Sequence, residues 1–301
     1  MIQEIIEIGR RIYQLDHWRE CHRFLVFVAR ALLHAGDMRA FLAFFHENEA
    51  RQTILKENGF QVEQLTRAFF YAGSTFRERL SLIENHILFE ERSFTTEWFI
   101  RLNIDQGYPI WQAKDEGPVW CAALKLAPGQ RKEGLLSILM MLEDVELYQM
   151  MFWFNKNRSG EYALYIGAMQ GPNVDHARDL VKDVTKRAHR YRTKNLILYM
   201  TQAVARVVGV THIYAVSNQG YYAMNHLRSD RKLKTDFGAF WEEAGGHVTD
   251  DPRFYELPLT ERRKTMEEIP TRKRAVYRKR FAFQDDVDMQ IAESIKKILR
   301  K

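Results

Sequence analysis

Residues 162–218 read YALYIGAMQGPNVDHARDLVKDVTKRAHRYRTKNLILYMTQAVARVVGVTHIYAVSN. Segments 162–171 and 212–218 are short and rich in apolar, β-branched and aromatic residues, which favours buried strands. Between them, residues 173–189 predict a helix capped by Asn173, and residues 196–209 predict a nearly all-apolar helix that stops at Gly209. A strand, a helical connection and a second strand imply a parallel pair within the sheet.

The segments that precede this unit predict an antiparallel meander. Residues 119–129, 135–142 and 146–155 are short apolar runs, and glycine, proline or polar residues separate them. Links this short cannot contain a crossover helix, so neighbouring strands pair antiparallel. After Asn218 the chain is helical and turn-rich to about residue 250, and a basic helix or helix pair follows. The predicted fold class is α+β, with a mixed, mostly antiparallel sheet and flanking helices.

The N-terminal third predicts helices only. Apolar residues recur at steps of three and four up to about residue 95, as in the run from Ile2 to Tyr13. We therefore divide the chain into a helical region, residues 1–108, and an α/β domain with basic C-terminal helices, residues 109–301. The histidines of the helical region, among them His86, follow no metal-ligand spacing. They are interpreted as surface or helix-end residues, and no metal site is predicted.

Composition indicates a globular intracellular protein. Of 301 residues, 46% are hydrophobic and 28% charged, and the only cysteines, Cys21 and Cys121, fit neither a disulfide framework nor a metal motif. The N-terminus lacks the order of a signal peptide, and acidic residues interrupt the apolar run 135–154, so no transmembrane segment is predicted. We expect a cytoplasmic protein. The net charge of +6 favours phosphates, anionic lipid, nucleic acid or an acidic protein as partners.

A basic run between the two helices of the central unit is the first candidate site. Six cationic residues lie within 13 positions: Lys182, Lys186, Arg187, Arg190, Arg192 and Lys194. Next to a helix N-terminus they predict an anion site; the alternative is a solvated helix face and a basic loop. The strand that ends in Gln170 and Gly171 opens its backbone at the same place. The common glycine-rich nucleotide loops are absent from the sequence.

The stretch after the last predicted strand supplies catalytic candidates. Asn218 ends that strand, and His226 follows within a turn-rich segment. A histidine titrates near neutrality and can act as a general base, although a histidine beside a turn is commonly structural. Glu242 lies in the segment FWEEAGG, where capping or packing is the alternative role. Because adjacent carboxylates point to different helix faces, Glu242 and Glu243 do not form a ready acid–base pair.

A second basic run, TRKRAVYRKRFAF, occupies residues 271–283. As a helix it places Arg274, Tyr277 and Arg278 on one face, and Arg280 follows within the next turn. This run predicts binding to a phosphate or an acidic protein. A contact with anionic membrane lipid and an ordinary solvated face are the alternatives.

Several of these segments together resemble the VirK/YbjX family. The resemblance lies in residues 166–172, 185–198, 207–218, 240–246, 256–259 and 272–280, in that order. It implies a cytoplasmic or inner-membrane-associated factor of Gram-negative bacteria, linked to envelope properties, virulence and tolerance of cationic antimicrobial peptides. It implies no established catalytic residues.

The order of elements is also similar to that of the GNAT acyltransferases, so our leading hypothesis is an acyltransferase that uses acyl-CoA or acyl carrier protein. The donor's phosphate is assigned to Lys186, Arg190 and Arg192. The donor's arm and its surroundings are assigned to the strand end and the next strand: Gly167, Met169, Gln170, Gly171 and Asn218. His226 or Glu242 is the candidate base. The alternative is a non-enzymatic envelope-stress factor that binds anionic lipid or a partner protein through Arg274, Tyr277, Arg278 and Arg280. No stacking platform or groove-reading helix favours nucleic acid.

Overall fold

An all-helical region leads into an eight-stranded sheet in the computed structural model, which describes residues 1–104, 106–126, 129, 131–225 and 236–300. The predicted α+β class, with its helical N-terminal region and its mixed, mostly antiparallel sheet, is confirmed. Among the helices of these ranges, none is both long and apolar enough to cross a lipid bilayer.

The N-terminal region contains seven helices: α1 Ile2–Ile12, α2 Trp18–Leu33, α3 Ala35–His46, α4 Glu49–Glu57, α5 Phe60–Thr66, α6 Phe76–Ser93 and α7 Thr96–Asn103. The start of α6 shows how local sequence fixes an element. The Thr75 hydroxyl accepts the Glu78 backbone N–H at 3.2 Å, and the Glu78 carboxylate accepts the Thr75 N–H at 2.7 Å. This reciprocal pair satisfies two backbone donors that the first helical turn leaves unpaired.

The sheet follows the predicted meander and adds strands at both of its ends. Its strands are β1 Tyr108–Gln112, β2 Trp120–Lys125, β3 Leu136–Leu142, β4 Val145–Lys156, β5 Tyr162–Gln170, β6 His212–Val216, β7 His247–Val248 and β8 Phe254–Leu257. The spatial order is β1-β2-β3-β4-β5-β6-β8-β7. Strands β1, β7 and β8 were not predicted, because they have two to five residues and carry little periodicity of their own.

The parallel pair is the topological centre of the sheet. Residues 163–166 of β5 pair in parallel with residues 212–215 of β6, and the other neighbouring strands pair antiparallel. The connection contains α8 Ala177–Arg187 and α9 Thr193–Val208. As predicted, α9 is buried along most of its length and ends at Gly209, which has a φ of 80°. The predicted cap at Asn173 is wrong, because His176, with a φ of 63°, precedes the first turn of α8.

The last two helices are α10 Phe237–Glu243 and α11 Thr271–Ile298, and the end of α11 brings the chain back to the N-terminal helices. Helix α10 follows β6, and α11 is one continuous helix that packs against α9 and β1. At its C-terminal end the chain returns to the helical region. There the Thr95 N–H donates to the Ile298 carbonyl at 2.8 Å, and the Arg300 N–H donates to the Ser93 carbonyl at 2.8 Å. The N-terminal helices and the sheet-bearing part are therefore joined by backbone hydrogen bonds as well as by packing.

Candidate functional site

A groove of about 520 Å³ lies beside β1, where the end of α8 and the middle of α11 approach the sheet. Its aromatic lining is formed by Trp111 of β1, Trp120 of β2 and Phe283 of α11. The ring centroids of Trp111 and Trp120 are 5.0 Å apart with an edge-on geometry, and Phe283 lies 5.9 Å from each. We call this the basic aromatic groove, because the side chains around these rings are mainly cationic.

The charges that line the groove are unbalanced. Four cationic side chains and His189 face two carboxylates: Lys114, Lys186, Arg187 and Lys279 against Asp115 and Asp286. Arg187 donates to both oxygens of Asp115, at 2.8 and 2.6 Å, and Lys114 pairs with Asp286 at 2.5 Å. Lys186 pairs with Asp183, at 2.8 Å, which is not part of the lining. The groove therefore has an excess of two positive charges before His189 is counted.

The His189 turn brings more positive charge close to the groove. His189 and Arg190 have φ values of 51° and 63°, a left-handed conformation that is uncommon outside glycine. The Arg280 guanidinium donates to both of their carbonyl oxygens, at 3.3 and 2.9 Å, and holds this turn. Burial, followed by the charges of Lys279 and Arg280, lowers the pKa of His189. The lowered pKa favours the neutral imidazole of His189. A ligand with a negative charge beside the ring would oppose this effect.

Two buried polar groups beside the groove have no partner among the described residues. The indole N–H groups of Trp111 and Trp120 are buried without a hydrogen-bond acceptor among the described residues. A buried donor left unpaired costs about 1–3 kcal/mol, so native proteins retain few of them unless water or a ligand supplies the acceptor. Both N–H groups are buried, so they do not face the open groove.

The residues predicted to hold a donor phosphate are not all in one place. Lys186 lines the groove, whereas Arg190 and Arg192 are exposed in the turn between α8 and α9. Arg192 forms an ion pair with Glu243 of α10, and Lys194 lies 3.5 Å from the same carboxylate. The basic run is thus divided between the groove and the N-terminal end of α9.

The strand end predicted to hold a donor arm is buried at Gly167 and Met169 and exposed at Gln170 and Gly171. Gly167 forms a bulge, since Ile166 and Ala168 pair with consecutive residues of β4. A Cβ atom on Gly167 would lie 1.8 Å from the Glu133 carbonyl oxygen, so that face of the bulge is closed. Met169 is also buried, whereas Gln170 is exposed and Gly171 lies against the Tyr148 ring. The pairing with β6 ends at Ile166, and β5 continues four residues beyond it.

Two of the three residues predicted after β6 make local structural contacts. The Asn218 side chain donates to Asp236 at 2.8 Å and accepts the Phe237 backbone N–H at 2.8 Å, which ties the end of β6 to the start of α10. Glu242 accepts from the Tyr255 hydroxyl at 3.0 Å. His226, the third, lies outside the described residues.

The basic face predicted on α11 is largely engaged within the chain. Arg280 holds the His189 turn, and Arg274 donates to the Ile269 carbonyl at 3.1 Å. The Tyr277 ring lies between Phe281, at 5.9 Å, and the Arg280 guanidinium, at 4.4 Å. Arg278 is exposed. Lys279, next to these residues, is the member of the basic run that lines the groove.

Sequence reasoning missed the aromatic part of the site. Trp111 and Trp120 are isolated in the sequence: Trp120 lies in the first predicted strand, residues 119–129, and Trp111 precedes it. Phe283 lies at the end of the basic run 271–283, which was predicted as a charged surface. The available signal was the charged stretch 114–116 between two tryptophans. The described residues also contain no cluster of three or more His, Cys, Asp or Glu side chains arranged to hold a metal ion.

Comparisons with known proteins extend the resemblance found in the sequence. A family model described as "Protein of unknown function (DUF535)" matches residues 16–293. The chain is 27% identical over 233 residues to "Uncharacterized protein YbjX" of Escherichia coli (strain K12), which covers 76% of this chain and 70% of that protein. Two Haemophilus influenzae proteins, each named "Uncharacterized protein", are 31% identical over 133 and 135 residues, or 44% and 43% of this chain and of those proteins. No solved structure matches the chain.

Proposed function

The chain belongs to the DUF535 family, as the resemblance to the VirK/YbjX proteins implied, and we propose that it binds an amphiphilic phosphate in the basic aromatic groove. The observation that carries the proposal is the pairing of an apolar aromatic lining with four cationic side chains against two carboxylates. Acyl-CoA, the acylated arm of a carrier protein and anionic lipid share this chemistry, because each joins a phosphate to an apolar chain.

The role of each cationic side chain of the groove depends on whether it already forms an ion pair. Arg187 is held by Asp115 with its guanidinium 5.4 Å from the Trp120 ring centre, so it forms part of the wall. Lys279 is exposed and forms no ion pair within the lining, and Lys186 is exposed and pairs only with the exposed Asp183, outside the lining. These two are the side chains best suited to approach a phosphate. The apolar arm of the ligand lies against the aromatic rings. Each 100 Å² of arm surface buried there contributes about 2.5 kcal/mol.

Calorimetry of the purified chain tests this proposal with three probes: long-chain acyl-CoA, an acylated carrier protein, and vesicles with or without phosphatidylglycerol. The double substitution of Lys186→Glu and Lys279→Glu is expected to weaken binding at least roughly tenfold, since both charges change sign beside the phosphate. The matched control reverses Arg272→Glu and Lys273→Glu, two exposed cations of α11 outside the groove lining, and is expected to bind like the native chain. The proposal fails if no probe binds or if both double variants lose affinity equally. The probe that binds identifies the source of the phosphate.

Acyl transfer is the second candidate, and it rests on the similarity of the element order to that of GNAT enzymes. Strand β5 carries a bulge at Gly167 and runs past its last partner in β6, while Arg190 and Arg192 lie in the turn that begins α9. By similarity to GNAT enzymes, a donor thioester beside this strand end is attacked by an acceptor amine or hydroxyl. The acceptor's proton passes to a base, for which Glu242 and His226 are the candidates, and the donor leaves as a free thiol.

Thiol release from acyl-CoA, measured in the presence of envelope extracts as a source of acceptors, tests acyl transfer. Arg190→Ala combined with Arg192→Ala is expected to raise KM for acyl-CoA about tenfold and to change kcat much less, since the lost contacts hold the donor before and during the reaction. Lys296→Ala, an exposed cation near the end of α11, serves as the control. Thiol release at the background rate with every extract would remove this candidate and leave the binding proposal standing.

A further inference from the structure

A second cleft, of about 600 Å³, opens over the sheet away from the basic aromatic groove. The β4–β5 turn forms one wall and the β7–β8 turn forms another, and the exposed side chains of Arg158 and Asp250, 3.9 Å apart, face each other across them. The floor comes from consecutive partners across the strands: Trp153 of β4, Tyr165 of β5 and Tyr214 of β6. The cleft shares no lining residue with the basic aromatic groove.

The floor is a row of aromatic rings. Trp153 and Tyr165 are stacked with their ring centroids 5.7 Å apart and their planes 10° apart, and Tyr214 continues the row 4.9 Å from Tyr165. Cross-strand aromatic pairs of this kind fix the rings rigidly, because the sheet register sets their spacing. Tyr165 and Tyr214 are partly exposed and offer an apolar surface that needs no rearrangement before a ligand binds, whereas the Trp153 ring is buried beside them.

The charges around this floor are balanced, in contrast to those of the groove. The lining contains three cationic side chains and four carboxylates, together with the amides of Asn155 and Asn157 and the hydroxyls of Ser159 and Thr249. Arg253 is already held by Asp251, with N–O distances of 2.7–3.2 Å, so it offers no free charge to an anion. A phosphate has no net attraction to this lining, whereas a neutral ligand with many hydroxyl groups finds both donors and acceptors.

Buried packing fixes the inner end of the cleft. Trp153 is fully buried, and its indole N–H has no acceptor among the residues that the structure describes. Beside it, Tyr71 and Phe254 close the inner end of the cleft. The buried Trp153 ring therefore packs against Tyr165 and holds that ring in place.

We infer that this cleft binds a neutral carbohydrate. The sugar's C–H faces lie on the aromatic row, and its hydroxyl groups exchange hydrogen bonds with the amides and carboxylates of the walls. The volume admits a short oligosaccharide rather than a single small ion. This inference does not depend on the proposed phosphate ligand, since the two sites use different residues.

Saturation-transfer NMR with short neutral oligosaccharides of glucose and of N-acetylglucosamine tests the inference on the full chain. Tyr214→Ala is expected to weaken binding at least roughly tenfold by removing a ring of the floor. Because that variant removes buried packing, Ser159→Trp is used beside it: Ser159 is exposed in the turn, so a tryptophan there fills the cleft without disturbing the core. Tyr277→Ala on α11 is the matched aromatic control and is expected to bind normally.

Three results overturn the carbohydrate site. They are the absence of transfer to every saccharide, binding that survives both Tyr214→Ala and Ser159→Trp, and a preference for sugar phosphates over neutral sugars. The Lys186→Glu and Lys279→Glu double variant is expected to keep full saccharide affinity, so failure of the groove and failure of this cleft are distinguishable.

Discussion

Gly167→Ala is expected to destabilise the protein by about 3 kcal/mol or more, the upper range for overpacking a buried site. The added Cβ would meet the Glu133 carbonyl oxygen at 1.8 Å and the Trp153 ring at 2.7 Å. The clash with the Glu133 carbonyl is removed only if residues 131–134 move. That movement disrupts the hydrogen bonds from the Gln64 amide to the Arg131 and Gly134 carbonyls, 2.6 and 3.2 Å long. Thermal unfolding followed by circular dichroism measures the loss as a fall in Tm.

Gly36→Ala is the matched control for this substitution. Gly36 lies in α3, and a Cβ there would meet no atom within 4 Å. Replacing a helical glycine by alanine is expected to stabilise the chain by about 0.5–1 kcal/mol. If Gly167→Ala melts at the native temperature, the 131–134 segment does not lie on the bulge of β5. The strand end would then be open on that face, which favours acyl transfer over the closed arrangement described above.

The second large effect concerns a buried pair, His86 and Glu90 of α6. Both are buried, and the His86 Nε2 lies 3.3 Å from a Glu90 oxygen. The backbone N–H of Phe154 donates to His86 Nδ1 at 3.1 Å, so the neutral ring carries its proton on Nε2, facing Glu90. The Asn103 amide donates to the other Glu90 oxygen at 2.5 Å. Burial raises the pKa of Glu90 to about 8 and lowers the pKa of His86 to about 3.

These shifts predict opposite slopes of stability with pH. Below its ordinary pKa of 6.5, His86 binds a proton only in the unfolded chain, so its contribution rises with pH from about 3 to 6.5. Above its ordinary pKa of 4.5, Glu90 keeps its proton only in the folded chain, so its contribution falls with pH from 4.5 to about 8. The two slopes offset each other between 4.5 and 6.5. From pH 6.5 to 8 only the Glu90 slope remains, a loss on the order of 1–2 kcal/mol.

Glu90→Gln imitates the protonated carboxyl and is expected to remove the loss above pH 6.5. Urea unfolding of the native chain and the variant at pH 6.5 and pH 8 measures the difference. Glu97→Gln, which alters an exposed carboxylate on α7, is expected to leave the native slope unchanged. An equal slope in the native chain and in Glu90→Gln would show that Glu90 is ionised in the folded protein at neutral pH.

The strands of the meander were predictable because their signals are local. The predicted segment 135–142 differs from β3 by one residue at one end, and 146–155 differs from β4 by one residue at each end, since apolar runs and turn residues mark both ends of each strand. The parallel pair followed from the length of the helical connection alone. The pairing register of β4 and β5 could not be predicted from the sequence, because the bulge at Gly167 depends on where residues 131–134 lie against the sheet.

His86 shows why burial is harder to predict than helix position. The sequence placed it at a surface or helix end, and this interpretation is wrong, because α6 lies along β4 and His86 accepts a backbone hydrogen bond from that strand. Helical periodicity describes which residues share a face, but it does not say which faces meet a partner. A histidine between two apolar faces carries no local mark of its burial.

The basic aromatic groove combines segments that are far apart in the chain. Lys186 was predicted as a phosphate ligand from charge density, and it does line the groove. Trp111, Trp120 and Phe283 come from two strands and a helix about 170 residues apart, so no spacing rule joins them. Charge clusters were therefore visible in the sequence, whereas the apolar half of the site depended on tertiary packing.

His189 reports most directly on whether the groove holds a phosphate. Its pKa, followed through the ring proton signals by NMR, is lowered in the free chain by burial and by Lys279 and Arg280. Saturating the chain with the probe that calorimetry selects is expected to raise this pKa by about one unit or more, because a negative charge beside the ring stabilises the imidazolium. An unchanged pKa of His189 in the fully bound chain would contradict binding in the groove.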